Sequence, residues 1–423
     1  MPQAFQVPRG TQDVLPPTST AWQHAEASFR EVCHRYGYEE IRTPVFEEAA
    51  LFARGIGDVT DIVSKEMYVF EDRGGRHLAL RPEGTAGVVR AFIQHGLAAP
   101  KAVWKVYYII SIFRYERPQA GRYRQSHQVG VECFGAPGPD ADAEVIALNM
   151  AWYDSLGISD HGLTLNSLGC PVCRPSHREA LQSALRAVAP QLCETCQGRI
   201  DRNPLRVFDC KSPECKALLA GAPSTLDHLC PGCQAHFDTL RTTLEALELP
   251  YEIDPRLVRG LDYYTRTAWE VKFTGLGAQD ALCGGGRYDG LVEGLGGHPT
   301  PGIGFAAGIE RALLTLAELG IEAPGALPRG VFVAGLGDKA RGRALLLAEG
   351  IRRAGVRAET DYFERGLGAQ LRLADRLAAR YAVILGDDEL ASGQATVRDL
   401  ESGVQEAVAL DAVPEWLRAR CVA

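Results

Sequence analysis

Val103-Trp104-Lys105-Val106-Tyr107-Tyr108-Ile109-Ile110-Ser111-Ile112-Phe113 is an apolar run, and Gln125-Ser126-His127-Gln128-Val129-Gly130-Val131-Glu132-Cys133-Phe134 is a second. Both are rich in β-branched and aromatic residues and read as strands. The hydrophilic stretch Glu116–Arg124 between them reads as a long hairpin loop. Upstream, residues 20–36 bring Trp22, Ala25, Phe29, Val32 and Cys33 close to helical spacing, which predicts an amphipathic helix. Tyr38–Phe46 reads as a strand in which Pro44 is tolerated only at an edge or an end, and His77–Leu80 reads as another. Strands follow strands here, without regular βαβ alternation. That predicts a mixed, largely antiparallel sheet.

The length of 423 residues suggests about two to four domains. Hydrophobic content of 46% and charged content of 23% are ordinary for a soluble globular protein. The sequence lacks an apolar run of the ~20 residues that span a bilayer, so no membrane partner is expected. Met1-Pro2-Gln3-Ala4-Phe5 lacks the basic and apolar regions of a signal peptide. A cytoplasmic location is expected, and there cysteines are not usually in disulfides. The net charge of −8 argues against a generally basic nucleic-acid binder. It leaves room for RNA bound through local arginines and base contacts.

Composition shifts between residues 168 and 238, where eight of the twelve cysteines fall near helical stretches His177–Val188 and Ala235–Leu247. This reads as an inserted, mainly helical domain. Sheet-like sequence resumes at Leu249–Val258, Ile309–Leu319 reads as a helix, and Ile321–Arg329 is a Pro/Gly/Ala-rich linker. Strand Gly330–Ala334, helix Lys339–Ala354, strand Val356–Tyr362, helix Leu367–Leu377 and strand Tyr381–Leu385 then make a separate α/β unit. The expected division is 1–167 and 239–322 for two parts of one α+β domain, 168–238 for the insertion, 323–329 for the linker and 330–423 for the last unit.

Two segments point to chemistry: Arg259-Gly260-Leu261-Asp262-Tyr263-Tyr264-Thr265, and Cys283-Gly284-Gly285-Gly286-Arg287-Tyr288-Asp289-Gly290. Each joins a lone arginine, a tight turn and tyrosine hydroxyls, which suits a small polar ligand beside a phosphate. Phe113-Arg114-Tyr115-Glu116-Arg117-Pro118-Gln119 opens the hydrophilic loop, where Arg114, Arg117, Arg122 and Arg124 make a dense positive site. Taken alone it is either a solvated hairpin or a polyanion clamp. Gly302–Arg311 reads either as helix–sheet packing or as the delivery of Arg311 to a site.

These motifs resemble the histidyl-tRNA synthetase family. Pro44 in its strand is similar to class II motif 1, Phe113–Glu116 with its loop to motif 2, and Gly302–Arg311 to motif 3. Leu80-Arg81-Pro82-Glu83-Gly84-Thr85 resembles the family's amino-acid loop, and the two tyrosine segments its histidine motifs. The resemblance implies a class II antiparallel sheet flanked by helices, a C-terminal α/β anticodon-binding domain and a homodimer. It implies ATP with Mg²⁺, histidine and histidine tRNA as substrates and partners.

By the same resemblance, Arg114 and Arg259 would be the catalytic residues. Arg114, Glu116, Arg122 and Arg311 would bind ATP. Glu83, Thr85, Gln128, Glu132, Arg259, Tyr263, Tyr264 and Tyr288 would bind histidine, and Arg117 and Gln119 the acceptor end of the tRNA. The chain departs from the family at Ile110-Ser111, where Gly-Pro is expected. It departs again at Ser126, where an aromatic residue normally stacks on adenine.

Two other function classes compete. The synthetase-like regulatory subunit of ATP phosphoribosyltransferase is a binding protein that usually loses the C-terminal domain and several motif residues. This chain keeps Arg114, Arg259, Arg311, Glu83 and that domain. Gly335-Leu336-Gly337-Asp338-Lys339-Ala340, with Glu359 later, is close to the fingerprint of a dinucleotide-dependent oxidoreductase.

The cysteines of the insertion form four close pairs: Cys170 and Cys173, Cys193 and Cys196, Cys210 and Cys215, Cys230 and Cys233. Two pairs suffice for one tetrahedral zinc site and four for two sites. The expectation is structural Zn²⁺ that orders the insertion against the tRNA without touching the adenylation chemistry. Cys33, Cys133, Cys283 and Cys421 lack close partners and are expected to pack as small apolar groups.

Overall fold

The computed structural model describes residues 4–57, 60–119, 121–321 and 329–421. They form two compact units, residues 1–323 and 324–423. Of the expected linker 323–329, all but Arg329 lies outside the described residues.

The strands of the first unit are β1 (Glu39–Glu40), β2 (Phe46–Glu48), β3 (Val69–Glu71), β4 (His77–Leu80), β5 (Trp104–Phe113), β6 (Gln125–Phe134), β7 (Gly162–Ser167), β8 (Glu252–Ile253), β9 (Thr265–Lys272), β10 (Ala281–Arg287) and β11 (Gly302–Gly308). Eight of them form one sheet in the order β1-β5-β6-β11-β10-β9-β7-β8. The outermost pairs, β1–β5 and β7–β8, are parallel and the rest antiparallel. The mixed sheet read from the sequence is present.

The expected strand Tyr38–Phe46 is split. The chain leaves the large sheet after Glu40, passes Pro44, which has no N–H to give a ladder, and joins the small sheet β2-β4-β3 at Phe46. Of Leu249–Val258, Glu252–Ile253 alone pairs as strand.

The β5–β6 register runs unbroken from Trp104↔Phe134 to Phe113↔Gln125. Directly opposed residues share a face, so the registers define rows across five strands. One row is Tyr108, Gly130, Ala306, Gly284 and Glu270, and the next is Val106, Glu132, Gly304, Gly286 and Ala268. On the opposite face Val129, Val131, Ile303, Phe305 and Trp269 pack with Phe29, Trp152 and Ala312. These come from helices Thr18–Arg35, Pro139–Ser155 and Ile309–Glu318. Each large side chain buried there contributes about 1.5–3 kcal/mol. One face is thus committed to the main core; on the other, Val106, Tyr108 and Ala268 pack in a smaller apolar cluster with Phe92, Tyr264 and Tyr288, and the glycines beside it leave room for a site.

Between β7 and β8 lie helices Arg174–Val188, Glu194–Arg202, Pro213–Leu218 and Pro231–Ala246. The last runs across the 238/239 division, and its Phe237, Leu240 and Leu244 enter the main core.

The second unit has β12 (Val331–Gly335), β13 (Ala358–Thr360), β14 (Tyr381–Leu385), β15 (Gln394–Asp399) and β16 (Gln405–Ala409), in the order β13-β12-β14-β15-β16. The first three are parallel, and the sheet ends in an antiparallel hairpin. The Gly335-Leu336-Gly337 turn has a packing role: a Cβ on Gly335 would lie 2.8 Å from the Ala340 carbonyl oxygen, and Gly337 has φ +85°. This accounts for the glycines without a dinucleotide.

Candidate active site

Glu132 is the centre of the glycine-rich face. Its side chain rises from β6 over Gly304, whose Cβ, if present, would fall 2.0 Å from Oε2. Thr85 Oγ1 donates to Oε1 at 2.7 Å, Tyr108 O–H donates to the same oxygen at 3.1 Å, and Tyr288 O–H donates to Oε2. A carboxylate accepts about four hydrogen bonds, so a position remains on Oε2. Burial pushes the Glu132 carboxyl up to about 8, against the three hydroxyls, which favour the ionised form.

Glu83 is buried in the loop just before helix Thr85–Gln94. It accepts the N–H groups of Thr85 at 2.6 Å and Ala86 at 2.8 Å, donors that the start of helix Thr85–Gln94 leaves without partners. Those bonds fix Thr85 and hence its hydroxyl on Glu132. The loop is also tied to the β5–β6 hairpin. Arg81 donates to Ser111 O at 2.7 Å and to Thr43 O at 3.0 Å, and Arg114 Nε donates to Pro82 O at 2.8 Å.

Tyr263, Tyr264 and Tyr288 make an aromatic wall. Ring centroids lie 4.7 Å apart for Tyr263–Tyr264 and 5.7 Å for Tyr263–Tyr288. Burial pushes Tyr264 up to about 12 and also raises Tyr263 and Tyr288, so all three keep their hydroxyl hydrogens at neutral pH. Arg259 crosses Gly284, where a Cβ would lie 1.6 Å from Nη2, and pairs with Glu270. The Nε of Arg259 and the Oε1 of Gln128 are buried polar atoms without a hydrogen-bond partner. Gln128 shares the face of Glu132 on β6, opposite Gly308. Each of these atoms is available to a complementary group of a polar ligand.

A second cluster lies around the hairpin loop. Arg122 sits 3.2 Å and Arg114 3.9 Å from the Glu116 carboxylate. Arg311 donates to the carbonyls of Gly121 and Ala281. Burial and the neighbouring Arg122 charge push its guanidinium below its ordinary range. Guanidinium groups gathered against mutual repulsion form a site for a polyanion. Arg117 and Gln119 are exposed on the loop.

A family model described as Histidyl-tRNA synthetase matches residues 10–312, and one described as Anticodon binding domain matches residues 330–420. The chain belongs to the histidyl-tRNA synthetase family. A histidine–tRNA ligase from Moorella thermoacetica is 53% identical over 97% of this chain and 97% of its own length. One from Acetivibrio thermocellus is 48% identical over 98% and 99%. The solved structure of the apo S. aureus histidyl-tRNA synthetase superposes with a TM-score of 0.84 at 39% identity, covering 98% of this chain and 100% of that one. The anticodon-binding match and the antiparallel hairpin leave the dinucleotide reading of the last unit without support.

Within this family fold, Glu83, Thr85, Glu132, Tyr263, Tyr264 and Tyr288 are brought together, with Gln128 and Arg259 beside them on the same sheet face. Sequence reasoning missed Tyr108 and Glu270. Tyr108 had a signal, because β5 alternation and the hairpin pairing set it opposite Gly130, where a Cβ would clash with its ring. It also missed the support beneath Tyr288. Arg287, fully buried, pairs with Asp142, which also accepts from Thr267 at 2.5 Å and contacts His236 at 2.8 Å. Among the described residues, no helix is long and apolar enough to cross a membrane.

Proposed function

We propose that this chain is a histidine–tRNA ligase that joins histidine to the α-phosphorus of ATP, releases pyrophosphate, and transfers histidine to the 3′ end of histidine tRNA. The observation that carries the reading is Glu132, a buried carboxyl with three hydroxyl donors and an acceptor position left for an imidazole N–H. A pocket built around such an acceptor rejects side chains that leave it unpaired.

In this reading Glu83, Thr85 and Gln128 hold the α-amino group, and Tyr264 and Tyr288 frame the ring. Arg259 and Arg114 stabilise charge that builds on the α-phosphate oxygens during in-line attack by the histidine carboxylate. That carboxylate is already ionised, so fixed positive charge and positioning do the catalysis without a general base. Arg122 and Arg311 take the outer phosphates and Glu116 the adenine. Mg²⁺ bound with ATP would supply further neutralisation of the phosphates. Arg117 and Gln119, exposed on the loop, meet the acceptor end.

A homodimer, a cytoplasmic location, the domain division given above and structural zinc at the paired cysteines belong to the same proposal. The regulatory-subunit reading is disfavoured by the retention of Arg114, Arg259, Arg311, Glu83 and the C-terminal domain. The test is pyrophosphate exchange into ATP followed by charging of histidine tRNA. Exchange that needs histidine and Mg²⁺ supports the reading, and exchange indifferent to histidine rejects it.

A further inference from the structure

The eight paired cysteines gather into two separate groups: Cys170, Cys173, Cys230 and Cys233, and Cys193, Cys196, Cys210 and Cys215. Within each group the sulfurs all lie within 4.8 Å of one another. Four thiolates around zinc at about 2.3 Å stand about 3.8 Å apart at the edges of a tetrahedron. The contacts here are 3.8 Å for Cys170–Cys230, 3.7 Å for Cys170–Cys173, 3.8 Å for Cys173–Cys233 and 3.8 Å for Cys193–Cys210. These are tetrahedral edges and far exceed a disulfide bond of about 2.05 Å. Backbone N–H groups support both groups, from Cys170 to Cys173 Sγ at 3.1 Å and from Cys193 to Cys215 Sγ at 3.2 Å. The pairing is nested. The first and last pairs close the neck of the insertion, and the middle pairs make an outer site.

The segment closed between Cys196 and Cys210 holds the loop that carries Arg259. Arg206 Nη1 donates to Arg259 O at 3.0 Å, and Asn203 Nδ2 donates to Asp262 Oδ1 at 2.9 Å. Arg206 is itself held by Asp209 at 2.7 Å, and Arg199 reaches Asp61 at 3.1 Å. At the neck, Arg174 follows Cys173 and donates to the Tyr264 carbonyl. The apolar cluster beneath the outer site is small and aliphatic, built on Leu181, Leu185, Leu192, Ile200, Val207 and Leu219. A cluster of that size needs a staple to hold its shape. The insertion therefore hydrogen-bonds the loop that carries Arg259.

We propose that the insertion holds two structural zinc ions, and that the outer one braces Asn203 and Arg206 against the loop carrying Arg259. The consequence for histidine activation rests on the ligase reading, whereas the metal sites and the brace do not. In full-length protein purified without chelator, metal analysis should find two zinc ions per chain. Cobalt replacement should give the visible bands of tetrahedral sulfur coordination. The double variant Cys193→Ser, Cys215→Ser should keep one zinc, and its Arg259–Asp262 amides should exchange with deuterium about 10-fold faster, as local opening becomes easier.

Arg206→Ala should keep both ions and show the same faster exchange. It should also lower kcat for histidine activation about 10-fold, since small misplacement of a positioned group is costly, with less change in the KM for ATP. Fewer than two zinc ions without the cobalt bands overturns the sites. Unchanged amide protection in Arg206→Ala overturns the brace, whatever the activity. Wild-type protein with two zinc ions and no response to histidine would remove the ligase reading and leave the metal sites standing.

Discussion

Tyr288 and Thr85 reach the two oxygens of Glu132 from different parts of the chain, Tyr288 on Oε2 and Thr85 on Oε1 at 2.7 Å. The hydroxyls orient the carboxyl without consuming all its acceptor positions. Glu132→Gln replaces one oxygen by a donor and sets it against a hydroxyl. Leaving a buried group unpaired costs about 1–3 kcal/mol, so the KM for histidine should rise about 5- to 100-fold. The KM for ATP should stay nearly constant. Steady-state exchange kinetics with each substrate varied in turn check this, and equal rises in both constants would count against the assignment.

The same carboxyl sets a pH dependence. Its folded value of about 8 lies above its ordinary 4.5. Between those values the folded protein binds a proton that the unfolded chain has released, so stability falls as pH rises through that window. The contribution is whole below 4.5 and gone above about 8. Glu132→Gln has no such proton. The melting temperature of the wild type should therefore decline relative to the variant from pH 4.5 to 8 and run parallel above it. Thermal melts without histidine, across that range, measure the difference directly.

Arg259→Ala should reduce histidine-dependent exchange about 10²-fold or more, the scale for removing a preorganised donor from developing charge. Arg259→Lys should not restore it, because an ammonium cannot reproduce the guanidinium fork that meets Glu270 while Nε stays free. Single-turnover adenylate formation reads the effect apart from tRNA. A normal rate in either variant would move the catalytic role elsewhere.

The sheet and most of the pocket were legible because strand alternation is local. Once the hairpin closes between Phe113 and Gln125, the facing of Gln128 and Glu132 follows from a period of two. Helix Thr18–Arg35 was legible for the same reason at a period of 3.6. Glu270 was not legible. It matters only because Gly284 on the neighbouring strand makes room for Arg259, a register set by β9–β10 pairing and its bulge. Arg206 and Asn203 lie in a segment without sequence periodicity, and their contacts to Arg259 and Asp262 exist only in the assembled fold.

Ser126 stands opposite Ile112 at the loop end of β6, on the face of Gln128 and Glu132. A serine there offers no stacking surface for a base. Ser126→Phe should tighten ATP by about 1 kcal/mol, the scale of an aromatic stacking contact, and lower its KM about 5-fold. The KM for histidine should not follow. A higher KM for ATP in the variant would mean that another side chain already fills the space.

Tyr362 and Phe363 follow β13 in the anticodon-binding unit and are 73% and 63% exposed. The Arg365 guanidinium lies 4.6 Å from the Phe363 ring centroid. Exposed neighbouring aromatics with an arginine beside them suit unstacked RNA bases, which single-stranded loops present. Each stacked base is worth about 1–3 kcal/mol. Tyr362→Ala and Phe363→Ala should therefore each raise the KM for tRNA about 5-fold or more. Pyrophosphate exchange should be untouched, because it needs no tRNA. Neither change removes a charge, so the dependence of tRNA binding on salt should keep its slope. Arg365→Ala, which does remove one, should flatten that slope. Aminoacylation at several salt concentrations separates the two effects, and a normal KM in both aromatic variants would take base recognition away from this loop.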